Sequence, residues 1–98
     1  MESIIQQDKT RCFLCGQNAN GDPLDKHHIF GAALRKKSEK YGLTVFLHHH
    51  KCHIFGSMSV HQNAAVSNDL KRIAQSAAME KFNWTVEDFR KEFYKNYL

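Results

Sequence analysis

Long apolar runs are absent from this 98-residue chain. No segment reaches the roughly 18 consecutive apolar residues that a membrane-spanning helix needs, so no such helix is expected. Proline occurs once, at Pro23, glycine five times, and no repeat or low-complexity tract interrupts the sequence. The opening stretch, Met1 to Arg11, is polar and has no apolar segment of signal-peptide type, which predicts a cytoplasmic protein. Cysteine is scarce, at three residues. In a reducing compartment paired cysteines read as metal ligands before they read as disulfides.

The length predicts a single domain spanning residues 1–98. A domain this small buries only about 60–65% of its unfolded surface. Small domains often add a metal, disulfides or a partner to a thin core, which directs attention to the three cysteines and seven histidines. Lys and Arg outnumber Asp and Glu by 14 to 10, a net charge of +4. The mild basicity favours nucleic acid as a partner over an acidic small molecule.

Local pattern gives an α+β reading. Cys12 to Gly21 is rich in Gly and Asn and reads as a turn and loop. Asp25 to Phe30 reads as a strand, Gly31 to Lys40 as a helix stopped near Gly42, and Leu43 to Leu47 as a second strand. His48 to Met58 reads as a polar loop. Asn63 to Phe82 is helical in period, with Val66, Leu70, Ile73, Ala77 and Phe82 expected on its buried face. Thr85 to Asp88 resembles a capping box, with a hydrophobic staple expected between Trp84 and Phe89, and a last helix running to about Tyr97. The aromatics Phe82, Trp84, Phe89, Phe93 and Tyr97 are expected in the core. A metal-rich ββ part (residues 1–62) is thus followed by a helical part (63–98).

Cys12-Phe-Leu-Cys15-Gly is a CxxC knuckle. A turn of this length aims two thiolates at one tetrahedral ion. A thioredoxin-like redox pair would need a βαβ context that the pattern lacks. With Cys52 the only other cysteine, a Cys3His structural Zn²⁺ site of Cys12, Cys15, His48 and Cys52 is expected, with His49 the alternative fourth ligand. Four protein ligands leave no open position, so this ion would be structural.

A CxxC, then His27-His28-Ile29, then a strand ending in Leu47, then Cys52-His53 resembles the zinc-ribbon HNH (ββα-metal) endonucleases. The layout is also similar to small HNH proteins encoded by phages and prophages of Gram-positive bacteria. Arg35 to Gly42 and Phe93 to Leu98 extend the likeness over nearly the whole chain. The resemblance implies His27 as a ligand of a catalytic divalent ion (Mg²⁺, Mn²⁺, Ni²⁺ or Zn²⁺), His28 as general base, and His53 and His61 as further ligands. It also implies DNA as substrate, with RNA an alternative, products carrying 5′-phosphate and 3′-hydroxyl ends, and the cytoplasm of a host bacterium as location. An imidazole titrates near neutrality and can take a proton from water at working pH. An ion held by two or three imidazoles keeps positions open for a phosphate oxygen. Arg35, Lys36, Lys37 and Lys40 follow the pair and are expected to contact phosphates. His49 and His50 are expected to be solvated.

One departure is plain. The middle Asn of the HNH pattern has no counterpart, because counting back from His48 reaches Leu43. A backbone carbonyl or Asn63 is expected in its place. The departure also keeps open a different function class, a non-catalytic HNH-like zinc module that binds nucleic acid or inhibits a host defence protein. A purely structural zinc module would leave His27 and His28 without a role.

Overall fold

The computed structural model describes residues 1–98. Two five-residue strands, β1 (Leu24–His28) and β2 (Thr44–His48), pair antiparallel, with Leu24 opposite His48 and His28 opposite Thr44. The β-branched and aromatic content of Thr-Val-Phe-Leu suits β2 to a pleated, buried surface. Directly opposed residues share a face. Asp25, His27, Val45 and Leu47 therefore lie on one side of the sheet, and Lys26, His28, Thr44 and Phe46 on the other.

The chain between the strands winds as a 3₁₀ turn (Ala32–Leu34) and a short helix, α1 (Arg35–Lys40). The expected helix from residue 31 begins four residues later because Ala32 adopts φ +50 and the following turn is too tight for α-helix. Gly42 then reverses the chain at φ +70, and a Cβ there would stand 2.4 Å from the Glu2 carbonyl. Only glycine fits both demands.

The free edge of β2 is closed by the N-terminal segment without a third strand. Ser3 Oγ donates to the Thr44 carbonyl at 2.6 Å, and the Phe46 amide donates to Gln6 Oε1 at 2.7 Å. The Phe13 amide donates to the Phe46 carbonyl at 2.8 Å. Exposed edges invite pairing with other chains, and this cover removes the invitation.

After β2, the stretch expected as loop is ordered into a π-helical turn, His49–Ile54. The long helix α2 (Ala64–Phe82) starts at Asn63, whose side chain accepts from the Ala65 and Val66 amides. It stops at Asn83 in the left-handed region. Helix α3 (Val86–Phe93) carries the expected capping box between Thr85 and Asp88. It ends earlier than Tyr97, because Tyr94 turns left-handed at φ +68.

Leu43, Val45 and Leu47 of the sheet pack with Ile29, Phe30, Leu70, Ala74, Ala78, Phe89 and Phe93. Phe30 is the aromatic hub, 4.6 Å from Phe93 and 5.6 Å from Tyr97 between ring centres. Phe82, Trp84 and Tyr97 pack against this core as expected. The rings that Trp84 meets belong to Tyr41, just past α1, and to Phe82 at the end of α2. The buried face of α2 is rotated from the expected one: Ile73 is 42% exposed, while Leu70, Ala74, Gln75 and Ala78 are buried. The two alanines permit close approach. Gln75 lies inside because it holds the C-terminal tail, donating to Asn96 Oδ1 at 2.8 Å and accepting from the Tyr97 amide at 2.7 Å. A buried amide so bonded escapes the cost of desolvation without partners. No helix is long and apolar enough to cross a membrane.

Candidate metal centres and cleft

Cys12, Cys15, His48 and Cys52 converge, with one donor atom from each inside a 4.8 Å set. Sulfurs around one tetrahedral zinc stand about 3.8 Å apart, from Zn–S bonds of about 2.3 Å. Small side-chain movements would complete such a site, and this Cys3His cluster can hold a metal ion such as zinc. The Cys12–Gly16 turn is closed by the Gly16 amide on the Cys12 carbonyl, with Gly16 at φ +78. His48 Nδ1 lies 3.2 Å from Cys15 Sγ, while its Nε2 donates to the Asn18 carbonyl at 2.6 Å. That bond fixes the tautomer that leaves the Nδ1 lone pair for an ion. The three-residue gap between His48 and Cys52 is bridged by the wide π-helical turn. His49, the alternative ligand, points elsewhere and binds Asp25. Burial alone would raise the Cys12 thiol, but the amides of Cys15, His48 and Leu14 outweigh it and hold it near 7. Cys52 goes the other way, pushed up to about 12 by burial and by its sulfur neighbours. A bound cation would favour the deprotonated thiolate of Cys52 and release its proton.

On the other side of the same turn, His27, His53 and His61 form a second cluster, again with donor atoms within 4.8 Å. His53 Nε2 and His61 Nε2 are 3.2 Å apart, and the His27 and His53 ring centres 5.0 Å apart. Two imidazole nitrogens on one zinc-sized ion would sit about 3.3 Å from each other, given metal–N bonds of about 2.0–2.1 Å. His53 is aimed by Asp25, whose Oδ2 accepts from His53 Nδ1 at 2.9 Å and from His49 Nδ1 at 2.6 Å. A carboxylate can only accept, so Nδ1 carries the proton and the Nε2 lone pair faces His61. His27 is buried; that burial, with the neighbouring imidazoles, lowers its pKa to about 3. Burial and His53 lower His61 as well. The lowered His27 and His61 rings therefore favour the neutral form, which ligates a cation. Cys52 and His53 are sequence neighbours, one in each centre.

His28 extends from the opposite face of β1. Its Nε2 lies 2.9 Å from Glu39 Oε1, and the side chain is 12% exposed. His27, His28, His53 and His61 nevertheless line one open cleft of about 310 Å³, together with Lys26, Gly31, Ala32 and Arg35. The room is enough for a phosphodiester and several waters. Ala32, on the rim, is held in the left-handed region, and such strain gathers at functional sites.

No family model, curated protein or solved structure matches this chain.

The four expected phosphate contacts separate in space. Arg35 borders the imidazole cleft, and Lys36 joins Arg35, His28 and Glu39 around an adjoining hollow. Lys37 turns toward α3, donating to the Glu92 carbonyl at 2.9 Å and lying over the Tyr94 ring. Lys40 lies over the Tyr41 ring. Arg35, Lys36 and Lys37 are successive helical positions and cannot share one face. Leu43 is wholly buried in the core, and Asn63 is spent on the α2 cap, so neither side chain reaches His28. Three residues escaped the sequence reading. Lys26 alternates with His28 along β1 and was visible in principle. Asp25 and Glu39 reach their histidines only through strand register and the fold-back of α1.

Proposed function

We propose that the chain is a metal-dependent phosphodiesterase of the ββα-metal kind, acting on DNA. The observation that carries this reading is the convergence of three imidazoles, a separately held fourth, and two cations in one cleft. The element order β1, β2, α2, with α1 inserted between the strands, is compatible with that scaffold. His27, His53 and His61 would hold the divalent ion. Once bound, it would supply Lewis-acid stabilisation of charge at the phosphorus and at the leaving oxygen. Arg35 and Lys26 would bind the phosphate oxygens, which positions the duplex without reading its sequence. His28 accepts a proton from the attacking water. The Cys3His centre, with its four protein ligands, would hold a structural zinc that ties the N-terminal knuckle to β2.

Supercoiled plasmid incubated with Mg²⁺, Mn²⁺ or Ni²⁺ tests the reading. The wild type is expected to nick or linearise it, and His28→Ala to slow the reaction about 10²–10⁴-fold, the usual contribution of a general base. Equal digestion by both proteins would remove His28 from the chemistry. The burial of Leu43 where the HNH pattern carries Asn favours a second reading, a binding module without catalysis. Stable DNA binding with no cleavage under any divalent ion would establish that one instead.

A further inference from the structure

The imidazole that stands apart from the three-histidine cluster is not free to choose its tautomer. His28 and Lys26 lie on one face of β1, and α1 folds back across that face to bring Glu39 to both. Glu39 Oε1 is 2.9 Å from His28 Nε2 and 2.8 Å from Lys26 Nζ, and the N-terminal ammonium is 3.8 Å from Oε2. The Lys26 and His28 bonds hold the Glu39 carboxyl down near 2, so it is ionised at any working pH. An ionised carboxylate has no proton to give. His28 Nε2 must be the donor, and in the neutral ring Nδ1 is then the nitrogen with a lone pair. Nδ1 has no hydrogen-bond partner within the protein.

We propose that Glu39 is the positioning residue of the reaction, fixing His28 as the Nε2-protonated tautomer so that Nδ1 accepts the proton of the attacking water. The inference rests on the phosphodiesterase reading. In the step, a water O–H bond breaks and its proton goes to Nδ1, while the water oxygen forms a bond to phosphorus. The P–O3′ bond breaks with its electron pair on O3′, which takes a proton from solvent. The imidazolium so formed lies against the Glu39 carboxylate and later returns its proton to solvent. Orienting carboxylates act in this way by holding one tautomer and one ring position.

Two measurements on the zinc-containing protein test this. Long-range ¹⁵N–¹H NMR reads the His28 tautomer, and steady-state cleavage separates kcat from KM. Nε2-protonated His28 is expected in the wild type and in Glu39→Gln, whose amide oxygen still accepts, and a mixed tautomer in Glu39→Ala. Glu39→Ala should lower kcat about 10-fold or more with KM for DNA changed less than about twofold, and Glu39→Gln should fall between. The Glu39 side chain is 40% exposed and lies outside the hydrophobic core, so both variants should keep the wild-type circular dichroism. An Nδ1-protonated wild type would overturn the proposal. So would a Glu39→Ala protein that keeps both tautomer and kcat. A wild type that cleaves no DNA sinks the phosphodiesterase reading and the role of Nδ1 with it. An active wild type with an indifferent Glu39→Ala sinks only the role of Glu39.

Discussion

Replacing Asp25 should weaken the three-histidine centre without touching any of its ligands. One carboxylate oxygen serves two imidazoles, His53 at 2.9 Å and His49 at 2.6 Å. The shorter bond is the less important one. The His49 side chain is 49% exposed, so water can take over from Asp25 there, whereas His53 is 16% exposed and has no such substitute at hand. Burial would raise the Asp25 carboxyl, yet the two histidine bonds outweigh it and keep it below the usual carboxylate range. It is thus a full negative charge behind His53 at neutral pH, which raises the basicity of Nε2 and fixes the ring. Loss of such an outer partner costs about 10–100-fold in metal affinity, or about 1.4–2.7 kcal/mol. Asp25→Ala is therefore expected to raise the Kd for Mn²⁺ or Zn²⁺ by that factor. Calorimetric titration of protein whose Cys3His centre is already filled with zinc would read it. Asp25→Asn keeps one accepting oxygen and should fall between. His49→Ala should shift Kd by less than about threefold. If Asp25→Ala binds within about twofold of wild type, or if His49→Ala weakens binding as much, the carboxylate does not support the centre.

Chelation of zinc or Cys52→Ser should abolish the cooperative thermal transition, since a structural zinc contributes about 10–16 kcal/mol in small domains and this core's net stability is of order 5–15 kcal/mol. Circular dichroism with metal analysis checks it, and an unchanged melting temperature after complete zinc loss would contradict it. Stability should fall as pH drops from 6.5 toward 3, because unfolded His27 takes a proton at about 6.5 and the buried ring resists until about 3. Stability is therefore complete above 6.5, and the loss amounts to about 4–5 kcal/mol at most. Urea melts of wild type and His27→Gln between pH 6.5 and 4.5, above the carboxylate range, should show a flatter slope in the variant. Gly42→Ala should cost about 1–2 kcal/mol or more, since φ +70 and the 2.4 Å approach to the Glu2 carbonyl both oppose a Cβ. The urea midpoint reads that loss, and a midpoint unchanged from wild type would show that the N-terminal segment yields.

Residues whose chemistry depends on spacing alone were legible in the sequence. The CxxC turn and the capping box at Thr85 depend on contacts two to four residues apart, which local sequence specifies. The gathering of His27, His53 and His61 followed from a resemblance, and composition alone would not have produced it. What escaped reading depends on how distant segments lie together. Glu39 is eleven residues from His28, and only the fold-back of α1 joins them. Ser3 and Gln6 look like an ordinary polar terminus, yet they close the edge of β2. The face of α2 was misjudged because hydrophobicity favoured Ile73. Packing instead selected the small Ala74 and Ala78, with Gln75 between them kept inside by the tail.

Cys52 and His53 are joined by a single peptide bond. That link couples two kinds of chemical vulnerability. An oxidant or a thiol reagent attacks sulfur and leaves imidazole alone. Here, damage at Cys52 would unwind the turn that presents its neighbour, and the three-histidine cluster would come apart together with the staple. A chain of this design that keeps its histidines gathered under oxidising conditions must be keeping its thiols occupied.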